Sequence, residues 1–171
     1  MKEKDKPNKI LSLTYADCTP IYLFDYNKKV IGNIHSGWKG TLTRIVKNAI
    51  EEMVQKHGCN PKNIICAIGP TIRKCHFEVE SDVKDLFFNE FKTLENIDDI
   101  IQYRGMVSDK DKYMIDTVEI NKQVMKSMGI LEENILDSKL CTVCNSDKFH
   151  SYRVDRDLSG RNTALICLKN I

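Results

Sequence analysis

The sequence predicts a mixed α/β layered domain. Strand-type apolar runs alternate along the chain with segments of helical periodicity, which is typical of helices packed on a sheet. The length of 171 residues suits one domain with its own core, and a composition of 42% hydrophobic and 29% charged residues is ordinary for a globular protein. We therefore expect a single domain over residues 1–171.

Four strands are indicated in the first half of the chain. Residues 10–15, 20–26 and 30–35 are rich in β-branched and aromatic side chains, and the NKK triplet at 27–29 marks the turn between the second and the third. Residues 63–70 form a buried-type apolar run that ends at a Gly-Pro break. These strands are expected to form the centre of the sheet.

The clearest helical pattern covers residues 41–57. Apolar side chains recur there at helical spacing, with Thr41 as a plausible cap and Gly58 as the stop. One face is formed by Leu42, Ile45, Val46, Ala49, Ile50 and Met53. The other predicted elements are a short helix over 83–91, a strand or turn that becomes a helix over 113–130 and stops at Gly129, and strands over 138–143 and 163–171.

Composition and charge exclude several functional classes. The net charge of +2 is the difference between 26 basic and 24 acidic residues spread along the chain, so no basic face for nucleic acid is expected. A small anionic substrate stays open. There is no apolar run of about 18 residues for a membrane span, and the start MKEKDKPNKI has no apolar region of a signal peptide. A cytoplasmic location is expected.

The seven cysteines are expected to be reduced. Their number is odd and no secretory signal is seen, which argues against a disulfide framework. Cys66 and Cys167 lie in apolar runs, so we expect both to be small buried hydrophobic residues.

Cys18 and His35 form the first pair with chemical potential. Thiolate and imidazole are natural zinc ligands, and a catalytic zinc takes three protein ligands and keeps one open position. The same pair would also serve as a nucleophile and its base, or both residues would be structural. After His35, the stretch HSGWKG would face an anion at a helix start, or Trp38 would simply pack in the core.

Two further segments carry candidate ligands. Cys141 and Cys144 form a Cys-x-x-Cys pair that His150 follows, which would suit a structural zinc, although buried strand cysteines are the preferred interpretation. The last segment carries Arg153, Arg156 and Arg161 around a Ser-Gly turn. Guanidinium groups bind phosphate in a bidentate manner, while the alternative is a solvated charged loop.

A third segment, GPTIRKCHFEVE, brings three polar residues together after a Gly-Pro break. Cys75, His76 and Glu78 lie within about one turn of each other there. Glu78 would either hydrogen bond a substrate hydroxyl or begin the next element.

Taken together, these motifs resemble one family in order and spacing. They are ADC-x-P at 16–20, H-S-G-W-K-G-T at 35–41, I-G-P-T-I-x-x-C-x-F-E-V at 68–79, L-C-T-x-x-N at 140–145, and F-H-S-Y-R-x-D followed by S-G-R. The family is that of zinc-dependent purine nucleoside phosphorylases, formerly labelled laccase-domain or multicopper polyphenol oxidase proteins. The resemblance runs from about residue 10 to the C-terminus.

The resemblance implies a layered α/β domain with a zinc held by one cysteine and two histidines. It implies phosphorolysis of adenosine, inosine, guanosine and S-methyl-5′-thioadenosine, together with adenosine deamination. By the matching motifs, Cys18 and His35 are the metal ligands and act in catalysis through zinc. Arg153 and Arg161 are candidates for binding phosphate. The substrates implied are a purine nucleoside and phosphate, with no nucleic acid and no membrane as partner.

One family feature has no counterpart in this sequence. The third zinc ligand belongs to a Q-V-H-type motif tens of residues before ADC, whereas seventeen residues precede Cys18 here and none is a histidine. We therefore expect the chain to match the C-terminal two thirds of a family domain, with apolar surface and strand edges uncovered. A homo-oligomer or a separately encoded N-terminal segment would be the partner that completes the site.

Three other interpretations stay open. Copper is less expected than zinc, because four scattered histidines cannot build the copper centres of a phenol oxidase. A metal-independent hydrolase or deamidase would use Cys18 and His35 directly. An inactive fragment would show no phosphate-dependent release of hypoxanthine from inosine.

Overall fold

The computed structural model describes residues 9–169 and confirms a mixed α/β fold. Its strands are β1 (Ile10–Tyr15), β2 (Thr19–Asp25), β3 (Val30–Ser36), β4 (Ile64–Ile68), β5 (Glu78–Val79), β6 (Ile101–Val107), β7 (Lys110–Ile115), β8 (Ile135–Asp137) and β9 (Asn162–Cys167). Its α-helices are α1 (Trp38–Leu42), α2 (Ile45–His57), α3 (Ser81–Phe91), α4 (Ile97–Ile100), α5 (Thr117–Ser127) and α6 (Tyr152–Asp155). Short 3-10 helices cover Pro61–Asn63, Glu132–Asn134 and Arg156–Leu158.

The central sheet has four strands in the order β3-β2-β4-β8. Strand β2 pairs antiparallel with both neighbours, so that Ile21 lies opposite Ile34 on one side and Ile68 on the other. Strand β8 adds in parallel to β4. Side chains of β2 that point to one face, such as Ile21 and Leu23, are fully buried because that face carries the helices.

Helices α2 and α5 cover the buried face of this sheet. Val46, Ile50 and Met53 of α2 are fully buried, as the helical periodicity predicts, and the Val124 and Met125 side chains of α5 join the same core. The core continues through Phe87 and Phe91 of α3, whose rings lie 5.9 Å apart. Aromatic side chains of this size contribute much of the apolar area that stabilises such a core.

Two smaller sheets flank the central one. Strands β1 and β9 pair antiparallel and lie against β3, where the Asn33 side chain donates hydrogen bonds to the carbonyls of Leu11 and Ala164. Strands β5, β7 and β6 form the third sheet, which packs against α3. Because β1 leads directly into the turn before β2, the flanking and central sheets meet at residues 16–18.

The outer face of the two-stranded sheet carries exposed apolar side chains. Ile10 of β1 and Leu165 of β9 are 63% and 58% exposed. Two exposed apolar side chains are common on protein surfaces, so whether a further segment covers this face stays a prediction.

The structure corrects the predicted helix over residues 41–57. The chain is already helical from Trp38, and the helix breaks at Arg44, whose φ of 54° is left-handed, before α2 begins at Ile45. Thr41 is therefore not a cap. It is buried inside α1, where its hydroxyl contacts the Ser36 hydroxyl at 2.9 Å. Gly58 ends α2 in the left-handed region, as predicted.

Other differences lie in the second half of the chain. The strand predicted over 138–143 is wrong, because the strand occupies Ile135–Asp137 and the following residues form a loop with a single bridge from Cys141 to Thr71. Strand β6 (Ile101–Val107) lies in a segment for which the sequence predicts no element. Cys66 is buried as expected, whereas Cys167 is exposed. The sequence predicts the last strand over 163–171, whereas the observed strand β9 ends at Cys167. Residues 170 and 171 of the prediction lie outside the described range.

No helix within residues 9–169 is long and apolar enough to cross a membrane.

Candidate active site and metal-binding residues

A cavity of about 680 Å³ lies where the three sheets meet. It is lined by residues from the β1–β2 turn, the end of β3, the segment around β5 and the last 20 residues of the described chain. The sequence-predicted candidates Cys18, His35, Arg153 and Arg161 all line it, and so does Arg156. Residues far apart in sequence thus line one cavity, and its volume is large enough for a small organic ligand.

Cys18 is half-buried at the turn between β1 and β2. Burial, with a further contribution from the charge of Asp17, raises the pKa of the Cys18 thiol. A cysteine nucleophile needs the opposite shift, because only the thiolate attacks. The surroundings of Cys18 therefore do not favour direct nucleophilic catalysis by this thiol, whereas a bound metal ion would deprotonate it.

His35 is exposed at the end of β3, and its ring is oriented by one backbone contact. Its Nδ1 lies 3.1 Å from the Thr14 carbonyl oxygen. Since a carbonyl only accepts, Nδ1 carries the proton and Nε2 keeps its lone pair. Metal-binding histidines are commonly fixed in this way.

Gly37 shows that the two candidate ligands face the same space. A Cβ atom at Gly37 would lie 3.1 Å from Cys18 Sγ and 3.9 Å from His35 Nε2. A thiol and a free imidazole nitrogen around one small volume suit zinc, so the residues present fit the metal as two of its ligands. Within residues 9–169 no third His, Cys, Asp or Glu donor joins this pair.

The three arginines approach the cavity from the C-terminal segment with different degrees of order. Arg153 is half-buried, its guanidinium donates to the Glu78 carbonyl at 3.1 Å, and burial together with Arg156 lowers its pKa. Arg161 is exposed and donates to the carbonyls of Ser159 and Gly160. Three cationic groups that line one cavity favour an anionic ligand.

Asp17 organises this region, although the sequence reasoning gave it no role. Its carboxylate accepts hydrogen bonds from the Thr142 hydroxyl at 2.6 Å, the Ser151 hydroxyl at 3.1 Å and the Arg153 backbone N–H at 2.6 Å. Its own backbone is left-handed, with φ 78°. The sequence did offer one signal for Asp17, its position beside Cys18 in the ADC motif. Asp adopts the left-handed conformation more readily than most residues, which makes it suitable for a tight turn at this point.

The sequence left Trp38 and Glu78 each with a structural and a site role, and the structure shows features of both roles for each residue. Trp38 is half-buried against the core and also lines the cavity. Glu78 lines the cavity while its carboxylate is paired with Arg104. The helix that begins at Trp38 has five residues, so the anion-binding helix start considered for HSGWKG gains no support here.

A second group of metal-type donors lies outside the cavity. Cys75, His76, Cys141 and Cys144 place one donor atom each within 4.8 Å of one another, and such a group can hold a metal ion. The sequence had paired Cys141 and Cys144 with His150, which is wrong for the observed cluster because His76 supplies the imidazole. The two cysteines are also not strand residues, and Cys144 is exposed.

The thiols of this cluster influence one another. Burial would raise the pKa of Cys141, but hydrogen bonds from the backbone N–H groups of Cys144 and Arg73 and from the His76 ring lower its pKa to about 7. Burial and the contact with Cys141 raise the pKa of Cys75 to about 12. One thiolate is thus already stabilised by its neighbours.

Similarity to known proteins agrees with the fold. The chain is 31% identical over 165 residues to the purine nucleoside phosphorylase YlmD of Bacillus subtilis, covering 96% of this chain and 57% of that protein. It is 34% identical over 159 residues to a purine nucleoside phosphorylase of Staphylococcus epidermidis, covering 92% of this chain and 55% of that protein. The chain thus spans little more than half the length of these relatives.

Solved structures give the same result. The hypothetical protein YfiH of Bacillus licheniformis matches with a TM-score of 0.86 at 34% identity, covering 96% of this chain and 60% of that one. YlmD of Geobacillus stearothermophilus matches with a TM-score of 0.84 at 30% identity, covering 97% and 59%. The family model described as multi-copper polyphenol oxidoreductase laccase matches residues 4–169, and the chain belongs to this family.

Proposed function

We propose that this chain forms the main part of a zinc-dependent purine nucleoside phosphorylase. The substrates proposed are adenosine, inosine, guanosine and S-methyl-5′-thioadenosine, with adenosine deamination as a second activity. The observation that carries the proposal is the single cavity shared by the Cys18–His35 pair and the three arginines. Relatives of the chain are named purine nucleoside phosphorylases, which agrees with this chemistry.

Phosphate is assigned to the arginine side of the cavity. Arg153 is the most buried of these cations; its guanidinium donates to the Glu78 carbonyl and its backbone N–H to Asp17. Arg161 adds a second charge at the rim. A phosphate oxygen held here would bond to the sugar C1′ as the glycosidic C1′–N9 bond breaks and the purine leaves with a proton. The cations would keep the phosphate oriented without a reorganisation cost at the moment of reaction.

Zinc is assigned to Cys18 and His35. When bound it would supply Lewis acidity and lower the pKa of water for deamination. The protein's part is to orient His35 through the Thr14 carbonyl and to leave room beside Gly37. A third ligand would come from outside residues 9–169, and a second copy of the chain is the candidate for it.

The purine is assigned to the aromatic part of the cavity. Trp38, Phe77 and Tyr152 line it together with apolar side chains of the β5 region. A pocket of about 680 Å³ accommodates a nucleoside with phosphate, since ligand pockets commonly span about 300–1,000 Å³. The cytoplasmic location and the single-domain organisation over residues 1–171 belong to this proposal as well.

The experiment measures phosphorolysis and deamination on the same preparations. Phosphate-dependent release of hypoxanthine from inosine reports the first reaction, and conversion of adenosine to inosine reports the second. Arg153→Ala removes the half-buried guanidinium, and Arg153→Lys keeps the charge without the fork. Lys92→Ala is the control, at an exposed cation that does not line the cavity.

We expect Arg153→Ala to lower phosphorolysis by about 10- to 100-fold, the equivalent of one or two charged hydrogen bonds, and deamination much less. Arg153→Lys should fall between the wild type and the alanine variant. Equal loss of both reactions would assign Arg153 a structural role. If the zinc-supplemented wild-type chain releases no hypoxanthine from inosine in the presence of phosphate, the phosphorylase proposal is refuted in favour of an inactive fragment. Hydrolysis or deamination that survives complete metal removal would favour the metal-independent hydrolase or deamidase.

A further inference from the structure

The second cluster, formed by Cys75, His76, Cys141 and Cys144, joins two loops that are far apart in sequence. We call it the Cys3His cluster. Cys75 and His76 belong to the loop between β4 and β5, whereas the other two residues follow β8. None of the four lines the cavity described above. The cluster is therefore separate from the Cys18–His35 pair.

Five of its six donor–donor distances are close to those of a tetrahedral zinc site, and the sixth is within 4.8 Å. Zn–S bonds of about 2.3 Å and a Zn–N bond of about 2.0–2.1 Å, arranged tetrahedrally, set sulfur atoms about 3.8 Å apart and sulfur and nitrogen about 3.6 Å apart. The Cys75 sulfur lies 3.7 Å from that of Cys141 and 3.8 Å from that of Cys144. The His76 Nδ1 lies 3.2, 3.6 and 3.5 Å from the sulfurs of Cys75, Cys141 and Cys144.

These sulfur separations are far longer than the bond of a disulfide, which is about 2.05 Å. Three thiols also cannot all pair with one another. A metal ion at the centre uses every donor of the group at once, which a disulfide does not.

The backbone holds the donors in place. Asn145 donates to the Cys141 carbonyl from both its side chain, at 2.8 Å, and its backbone N–H, at 3.1 Å, which shapes the Cys-x-x-Cys turn. The preceding loop is fixed by the bridge between Thr71 and Cys141 and by the hydrogen bond from the His76 N–H to the Arg73 carbonyl at 2.9 Å. Donors fixed in this way before metal binding reduce the ordering cost of the site.

From this geometry we propose that the Cys3His cluster binds a structural zinc ion. Four protein donors complete a tetrahedron and leave no open position, which distinguishes structural from catalytic zinc. Binding converts the three thiols into thiolates and releases their protons to solvent. The ion fastens the β4–β5 loop to the loop after β8.

The fastened loops support the cavity, although none of the four cluster residues lines it. Thr142, directly after Cys141, donates to the Asp17 carboxylate, and Phe77, directly after His76, lines the cavity. Thr71 also donates to the Asp17 carbonyl at 2.7 Å. Removing the zinc should therefore loosen the β1–β2 turn as well as the two loops.

The test uses the full chain carrying Cys18→Ser, so that metal at the cavity pair does not mask the result. Zinc content is measured after purification in reducing buffer, and cobalt replacement is followed by thiolate-to-cobalt absorption. We expect roughly one tightly bound zinc per chain and a tetrahedral cobalt spectrum. Adding Cys144→Ser should abolish both, whereas adding Cys167→Ser, at an exposed cysteine of β9, should change neither.

Two results are decisive where the Cys144→Ser chain fails to fold. X-ray absorption of the zinc-loaded Cys18→Ser chain should show three sulfur neighbours and one nitrogen neighbour, and a shell of oxygen and nitrogen alone would overturn the proposal. A chelator should lower the melting temperature of the Cys18→Ser chain. Absence of zinc together with a disulfide among the cluster cysteines would also overturn it. The phosphorylase proposal is tested by activity, so either proposal can fail alone.

Discussion

The Asp17 carboxylate is the point at which the structure makes its sharpest energetic prediction. It is buried, with 7% of the residue exposed, and it accepts from Thr142, Ser151 and the Arg153 backbone. Thr142 and Ser151 lie between β8 and α6 and Arg153 lies in α6, so one carboxylate ties this segment to the turn that carries Cys18. Asp17→Ala removes all three acceptor contacts, while Asp17→Asn removes the charge and keeps most of the shape.

The magnitudes follow from the hydrogen bonds. A bond to a charged group contributes about 1.5–3 kcal/mol, but the Thr142 and Ser151 hydroxyls can rotate toward other acceptors, so the full sum is not expected. Alanine also tolerates the left-handed backbone less well than aspartate, at a cost of about 1 kcal/mol. We expect Asp17→Ala to lower the free energy of unfolding by about 4–5 kcal/mol.

Asp17→Asn should lower the free energy of unfolding much less, by about 1–2 kcal/mol. Its oxygen can still accept from the Arg153 N–H, and its amide can donate to the Thr142 hydroxyl, which then accepts. Urea unfolding at pH 7 measures both variants, and Asp147→Asn serves as a matched control at an exposed turn. Equal costs for Ala and Asn, or costs below about 1 kcal/mol for both, would refute the view that this carboxylate holds the loops together.

Two further substitutions probe the site and the scaffold. Gly37→Ala adds a methyl group 3.1 Å from Cys18 Sγ on a backbone with φ −71° and ψ 173°, which any residue adopts. Cobalt affinity at the Cys18 thiol should fall about 10-fold, with unfolding free energy changed by less than about 1 kcal/mol. Asp137 is buried, which would raise its pKa, but Arg73 and Lys122 outweigh burial and hold that pKa well below its usual range. The stability contributed by the Asp137 carboxylate is therefore present above the unfolded-state pKa of about 3.9 and is lost as pH falls below it. Asp137→Asn should lower the free energy of unfolding in urea by about 2–3 kcal/mol at pH 7, and by progressively less below pH 4.

Local periodicity was sufficient for the elements whose burial follows one face. Strands β1 to β4 and helices α2 and α5 lie close to their predicted spans, because alternating or helical burial determines each of them. The break before α2 is different. Arg44 holds its left-handed conformation while its guanidinium binds Glu90 at 2.6 Å and lies over the Phe91 ring at 4.8 Å. Because these contacts come from α3, more than 40 residues along the chain, the sequence around Arg44 alone does not predict the break.

The same distinction explains which site residues could be predicted. Cys18 and His35 were predicted as ligands through motifs, which stays a prediction, and both line the same cavity as Arg153 and Arg161. The Cys3His cluster was only half recognised, because its two pairs of donors are more than 60 residues apart and no fixed spacing connects them. His150 was the nearest histidine along the chain to the Cys-x-x-Cys pair, but proximity in sequence did not decide which imidazole the fold supplies.

The two metal-type sites are mechanically connected through very few residues. Cys141 of the Cys3His cluster is followed by Thr142, whose hydroxyl binds Asp17, and Asp17 is followed by Cys18. Because each link is a covalent bond or one short hydrogen bond between buried groups, a displacement at the cluster reaches the Cys18 turn with little room for relaxation. A structural ion at the cluster would therefore limit the positions that the Cys18 thiol can take, and the ligand geometry at the cavity would depend on a metal that never contacts the substrate.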